Sequence, residues 1–231
     1  MTPDPLILAV ETATLAGSIA IARGGEIIGS CNGDPAISHS NTLLADLDKL
    51  LAESQIKLPD IDLFAVAVGP GSFTGLRIGI ATVKALAATL DCPCAAIPTL
   101  HTVALAGGAS EASVALLPAG RGEVFAQLFS VVNDGAVTSL DEASHIAPKK
   151  MFDKYGSLES VLWCGEGAIA QRELIESSGA GKHWRIAPQT RNLARYVAAL
   201  ALRRLRDEEL VAPDALQAIY VRPSDAELKV S

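Results

Sequence analysis

Residues 62–90 read DLFAVAVGPGSFTGLRIGIATVKALAATL. The stretch opens on a nearly unbroken apolar run, residues 62–68, rich in β-branched and aromatic side chains, the pattern of a strand buried on both faces. Gly69-Pro70-Gly71-Ser72-Phe73-Thr74-Gly75 follows. Glycine lets the backbone turn through positive φ, and proline ends ladder bonding. Ser72 or Thr74 is placed to cap a helix that runs to about Leu90, ahead of Cys92-Pro93. A glycine-rich turn between a buried strand and a helix N-terminus brings free N–H groups and the helix dipole to one point, which suits an anion. The same turn also suits plain close packing. Its spacing is neither the dinucleotide fingerprint nor the P-loop, since no Lys-Ser or Lys-Thr follows the last glycine.

Gly75, Gly79, Val83 and Leu86 fall on one stripe of that helix. An interior glycine costs about 1 kcal/mol against alanine, so two of them four apart imply a close-lying backbone. That backbone belongs either to the chain's own sheet or to a partner. The partner reading makes these four residues the centre of a helical interface.

On either side the pattern continues. Strands are expected at residues 6–10, 18–23 and 26–31, with Gly24-Gly25 as a hairpin turn. An amphipathic helix is expected over 41–54, a strand at 94–97 and a helix from Thr99 to about residue 106. Gly107-Gly108-Ala109-Ser110 marks a boundary. The order then repeats: a strand at 114–117, a polar turn at 118–122, strands at 124–132 and 136–140, a helix at 148–155 and a strand at 160–164. A helix at 166–178, a strand at 183–186 and a helix at about 192–209 complete the second copy. LILAVETATLAGSIAIARGGEIIG and VALLPAGRGEVFAQLFSVVNDGAV show the repeat most plainly. The expectation is an α/β protein of two similar lobes, residues 1–108 and 109–231, each βββαβα. A cleft between Glu11–Thr14 and residues 119–123 is the expected ligand position.

At 231 residues and 49% apolar, the chain has material for a large core. No apolar run reaches membrane-spanning length, and the first residues lack a basic, signal-like region, so the expected location is the cytoplasm. Four scattered cysteines suit reduced thiols. The formal charge is −7, split −5 and −2 between residues 1–110 and the rest, which argues against a nucleic-acid surface spread over either half. The densest basic segment is 191–206, with Arg191, Arg195, Arg203, Arg204 and Arg206; a solvated helix face or direct tRNA contact would each account for it. No Gly-x-Ser-x-Gly and no Cys–His pair marks a nucleophile. His39, His101, His145 and His183 stand apart from one another, so no metal or catalytic site is expected.

The duplicated order is that of the actin, Hsp70 and sugar-kinase superfamily. ILAVETAT, SHSNTLLADLDKLL, GPGSFTGLRIGIATVKALA and YVRPSDAELK closely resemble the TsaB (YeaZ) family, well over residues 6–106 and loosely beyond. The resemblance implies a non-catalytic subunit that pairs with TsaD through first-lobe helices in tRNA N6-threonylcarbamoyladenosine synthesis. TsaE would join through the complex, TsaC would act upstream, and tRNA would be met through the complex. A homodimer is implied when TsaD is absent. Gly69, Gly71, Ser72, Phe73, Thr74, Gly75, Arg77 and Gly79 match the family's signature loop and helix. Glu11, Thr12 and Thr14 match its first phosphate-type turn, so these three with Gly69, Gly71 and Ser72 are the candidate nucleotide contacts. ATP or ADP is expected at most at a complex interface, and no cofactor is required by this chain. Gly122, Glu123, Val124 and Phe125 match the second-lobe turn, where relatives often carry Asp-Ala-Arg; here Pro118, Ala119 and Gly120 stand in those places. TsaD-like proteins hold metal through His-x3-His, whereas His39 is flanked at those spacings by Pro35 and Leu43. The competing reading is an actin-like ATPase or small-molecule kinase built on Glu11 and the 69–75 loop.

Overall fold

Every residue of Leu6–Glu11 (β1) and of Leu63–Gly69 (β4) is buried, as their continuous apolar character requires. In the computed structural model, which describes residues 4–37 and 39–221, these two parallel strands form the middle of a five-stranded sheet. Ser18–Arg23 (β2) and Glu26–Asn32 (β3) extend it antiparallel on one side, and Cys94–Pro98 (β5) parallel on the other, giving the order β3-β2-β1-β4-β5. The Leu6 N–H donates to Asp62 Oδ2 at 2.7 Å, which ties the start of β1 to the start of β4.

A sheet buried on both faces needs helices on both. His39–Glu53 (α1) lies beside Phe73–Thr89 (α2), and α2 packs on β4 and β1. The helix expected to complete the second lobe, Ala194–Arg206, packs on this first sheet instead, across β1, β2, β4 and β5. Its buried side is built from Ala194, Val197, Ala198 and Ala201, small enough to lie close to the strands. Asn192 Nδ2 donates to the Cys31 carbonyl at 3.0 Å, and the Ala194 N–H donates to Ser18 Oγ at 3.0 Å, fixing the helix start on β2 and β3. Beyond the helix, Val211 and Cys94 exchange backbone hydrogen bonds at 2.8 and 2.9 Å, adding a bridge to the edge strand β5. Lys84 of α2 donates to the carbonyls of Asp214 and Leu216. The first unit is therefore discontinuous: residues up to Thr102 together with Arg191–Ala218, rather than 1–108.

The second unit repeats the strand order. Ser110–Gly120 (β6), Glu123–Val131 (β7) and Val137–Ser139 (β8) are antiparallel neighbours, and Ser160–Cys164 (β10) and His183–Ile186 (β11) continue parallel from β6. This is the duplicated arrangement the sequence implied. Trp163, Tyr155, Met151, Val114 and Leu116 fill its core, with the Trp163 and Trp184 rings 5.0 Å apart. Three details depart from expectation. The polar turn at 118–122 shrinks to Arg121-Gly122, because β6 runs on to Gly120; past Ala115 the strand pairs only with β7, and Pro118 is tolerated there. A short strand, Ser144–Ile146 (β9), also pairs with β7. The helix expected over 166–178 breaks at Gln171 into Glu166–Ala170 and Arg172–Ser178, Gln171 lying outside helical geometry at φ −102°, ψ 16°. Thr99–Gly107 (α3) and Pro148–Tyr155 (α4) form as expected, and Ala194–Arg206 is α7 after the two short helices α5 and α6. The family-like segment from residue 222 onward lies outside the described residues. Among the described residues no helix is long and apolar enough to cross a membrane.

Candidate functional site

The first strand ends in Glu11, whose carboxylate is fully buried. Its Oε1 accepts the Thr14 N–H at 2.7 Å and its Oε2 accepts the Thr14 hydroxyl at 2.8 Å. A carboxylate three residues before its donors closes a turn much as an Asx turn does. The Thr12 hydroxyl donates to the Gly75 carbonyl at 2.8 Å, across 63 residues of sequence. His39, at the start of α1, meets the Thr14 carbonyl through Nε2 at 3.0 Å; since a carbonyl only accepts, Nε2 carries the proton.

The 69–75 loop wraps directly on this turn. The Ser72 N–H donates to the Ala13 carbonyl at 2.8 Å, the Gly69 N–H to Thr99 Oγ1 at 3.0 Å, and the Gly75 N–H to the capping Ser72 hydroxyl at 3.2 Å. Three donors that an anion would want are thus used within the chain. The glycines follow from the same contact. A Cβ on Gly71 would stand 2.6 Å from the Ala13 oxygen, one on Gly75 would stand 1.9 Å from the Thr12 oxygen, and one on Gly79 would stand 2.2 Å from Thr12 Oγ1. The structure brings together the candidate nucleotide contacts Glu11, Thr12, Thr14, Gly69, Gly71 and Ser72, and it commits many of their polar groups to one another.

The glycine stripe must be corrected on the same ground. Gly75, Gly79 and Val83 are buried, and what the two glycines admit is the chain's own Thr12, its carbonyl at Gly75 and its side chain at Gly79; Leu86 is half-buried. That face is occupied within the chain itself. The outward side of α2 carries Phe73, 39% exposed, with the Arg77 guanidinium 3.8 Å above its ring. Leu44 of α1 is 60% exposed and Leu15, just past the Glu11 turn, 69%. A groove of about 200 Å³, lined by Leu15, Ile37, His39, Ser72, Thr74 and Ile78 among others, runs between the turn and the helix starts. The signal that could have found this surface was the apolar residues at positions where the helix pattern calls for polar ones.

In the second unit Glu123 Oε2 lies 2.8 Å from His145 Nε2, and the Phe125 ring lies 5.3 Å from the same imidazole. Asp141 gathers three donors: the Leu128 N–H, the Tyr155 hydroxyl and the Lys154 ammonium, all within 2.8 Å. Sequence reading missed both clusters because their members are 13 to 22 residues apart and share no motif. Burial raises Glu166 above the usual carboxylate range and pushes the Cys94 and Cys164 thiols up to about 12. All four cysteines are free thiols. Among the described residues no group of three or more His, Cys, Asp or Glu could hold a metal ion.

Residues 35–212 match the family model described as TsaD: tRNA N6-adenosine threonylcarbamoyltransferase. The chain is 36% identical over 178 residues to the tRNA threonylcarbamoyladenosine biosynthesis protein TsaB of Escherichia coli, covering 75% of this chain and 76% of that protein. It is 32% identical over 128 residues to the TsaB of Bacillus subtilis, which covers 55% of this chain and spans 56% of that relative's length. Among solved structures, a Pseudomonas aeruginosa protein described as similar to peptidase YeaZ superposes with a TM-score of 0.78 at 24% identity, covering 94% of this chain and all of that one. YeaZ from the same organism gives 0.76 at 23% identity, covering 94% and 99%. At those identities the superpositions speak for the fold.

Proposed function

The chain belongs to the TsaB (YeaZ) family, and from that premise we propose that it is a non-catalytic subunit that pairs with a TsaD-type transferase in tRNA N6-threonylcarbamoyladenosine synthesis. The observation that carries this reading is the 178-residue match to the Escherichia coli TsaB, which runs through both units. The geometry supports it in two ways. The Glu11 carboxylate holds its own turn instead of facing a reactant, and the 69–75 loop spends its donors on that turn. The exposed flank of α1 and α2, with Leu44, Phe73 and Leu15, offers apolar side chains to a partner helix. The partner face is therefore the outward side of the two helices. A second copy of the chain takes the transferase's place when the latter is absent. TsaE joins through the complex, TsaC supplies the threonylcarbamoyl-adenylate, and any ATP or ADP binds at the complex interface.

Reconstitution tests this. With TsaC, TsaD, TsaE, ATP and unmodified tRNA, adding the chain is expected to raise the yield of modified adenosine, and calorimetric titration is expected to show one-to-one binding to TsaD. Leu44→Asp with Phe73→Asp should abolish that binding while leaving the thermal melt of the chain nearly unchanged. Multiple turnovers of adenosine modification or ATP hydrolysis by the chain alone would overturn the reading in favour of an enzyme.

A further inference from the structure

Residues 191–206, RNLARYVAALALRRLR, hold five arginines, no lysine and no acidic residue. Packing sorts them. Ala194, Val197, Ala198 and Ala201 of α7 are buried against the first sheet, so Arg195 and Arg206 point outward, and both are exposed. At 3.6 residues per turn they lie within about 20° of each other around the helix and roughly 16 Å apart along it. Ala199, exposed, and Leu202, buried, stand between them, and no acidic residue interrupts the line. Arg191 is exposed just before the helix. Among the described residues none of these three side chains has an ion-pair partner. Arg204 differs: it is tied to Glu209, one of the acids that follow the helix end.

A helix face that only meets water usually mixes signs, with i,i+4 pairs that offset repulsion. This one concentrates a single sign in a chain of net charge −7. Its cations are all arginine, whose planar fork matches phosphate oxygens in pairs and is less strongly hydrated than an ammonium. Tyr196, half-buried beside Arg195, adds an aromatic face at the same turn.

We propose that this arginine face of α7 is a contact for the phosphate backbone of RNA. The choice of RNA over an acidic protein rests on the tRNA-modification reading above. Such a contact positions the nucleic acid without reading its sequence, and its strength falls as salt releases less from the polyanion.

Fluorescence anisotropy with the full chain and a labelled, unmodified tRNA transcript tests it at about 50 and 200 mM salt. Arg195→Gln with Arg206→Gln should weaken binding roughly tenfold at the lower salt and reduce the slope of log affinity against log salt by about one to two. Arg172→Gln, which removes a cation paired with Glu176 in the second unit, should change neither. Absence of tRNA binding by the native chain at the lower salt, equal binding by the double variant, or preferential binding of polyglutamate over tRNA would each overturn the proposal. In the reconstituted reaction the double variant should raise KM for tRNA with kcat and TsaD affinity unchanged. If TsaD pairing and modification hold but that KM stays native, the arginine face is not the contact and the subunit reading stands. If the native chain supports no modification yet tRNA binding still drops in the double variant, the subunit reading fails and the arginine face survives.

Discussion

The two units follow their first long strand with very different turns. After β1, residues 11–14 are drawn inward: Glu11 is buried, both its oxygens are occupied by Thr14, and glycines of α2 press against Thr12. After β6, Arg121 and Gly122 form a two-residue hairpin with φ of +52° and +77°, exposed, with nothing within 4 Å of where side-chain atoms would stand on Gly120 and Gly122. Positive φ at both central residues is the turn that suits the twist of adjacent strands. Duplication has kept the strand order of the two sheets and let the chemistry of equivalent turns diverge, one into a packed knot and the other into an open reverse turn.

Substitutions at the glycines probe that contrast most strongly. Gly75→Ala forces a methyl against the Thr12 carbonyl, and overpacking against backbone should cost about 3 kcal/mol, a fall in Tm of roughly 6–12 °C for a chain of this size. Gly79→Leu should behave likewise, lowering the melting temperature of the isolated chain; a native melt with lost TsaD affinity would return the stripe to an interface role. A pH titration acts next, through a histidine of the first unit. Burial, aided by the Arg204 charge, lowers His101 from its ordinary value of 6.5 to about 4, so the folded chain keeps it neutral where the unfolded chain would protonate it. Stability is then full above the unfolded value and falls as pH drops from about 6.5 toward 4, by up to about 3 kcal/mol before solvent screening. Chemical denaturation across that range should show the loss, and His101→Gln should flatten it.

Glu11→Gln is expected to cost about 1–2 kcal/mol, since the amide keeps the shape but weakens a charge-assisted bond to the Thr14 N–H. Equal stability of this variant and the native chain in urea would show that the knot does not depend on charge. The smallest effect belongs to the hairpin. Gly122→Ala meets open space but must hold positive φ, a penalty of about 1 kcal/mol, visible as a small shift of the urea midpoint. A larger penalty there than at Gly75 would invert the comparison.

Local patterns were read well from sequence where they are local. β2, α4, β10 and β11 fall on the expected residues because alternation, Pro148 and flanking turns bound them. The glycine stripe was legible as a face without side chains, but spacing cannot say which backbone fills it; the answer, Thr12, lies 63 residues from Gly75. The break at Gln171 had no glycine or proline to announce it, and β9 is three residues long. The destination of α7 was also hidden. Its small-residue face fits any close-packed sheet, and only the need to cover β1 and β4 on both sides selects the first one. Of the candidate site, the residues of the turn and loop lie together in the structure, while their mutual consumption of hydrogen bonds depends on angles that no motif encodes.

The return of residues 191–218 to the first sheet sets an order on the ribosome. When Thr102 has emerged, five strands of that sheet have been made, yet one of its faces and the edge later bridged by Val211 stay bare. Residues 103–190, which carry the strands of the second sheet, are made in the meantime. At bacterial or eukaryotic translation rates the first-made sheet waits on the order of ten seconds for its cover. The sheet synthesised first thus keeps one face uncovered until α7 has been made.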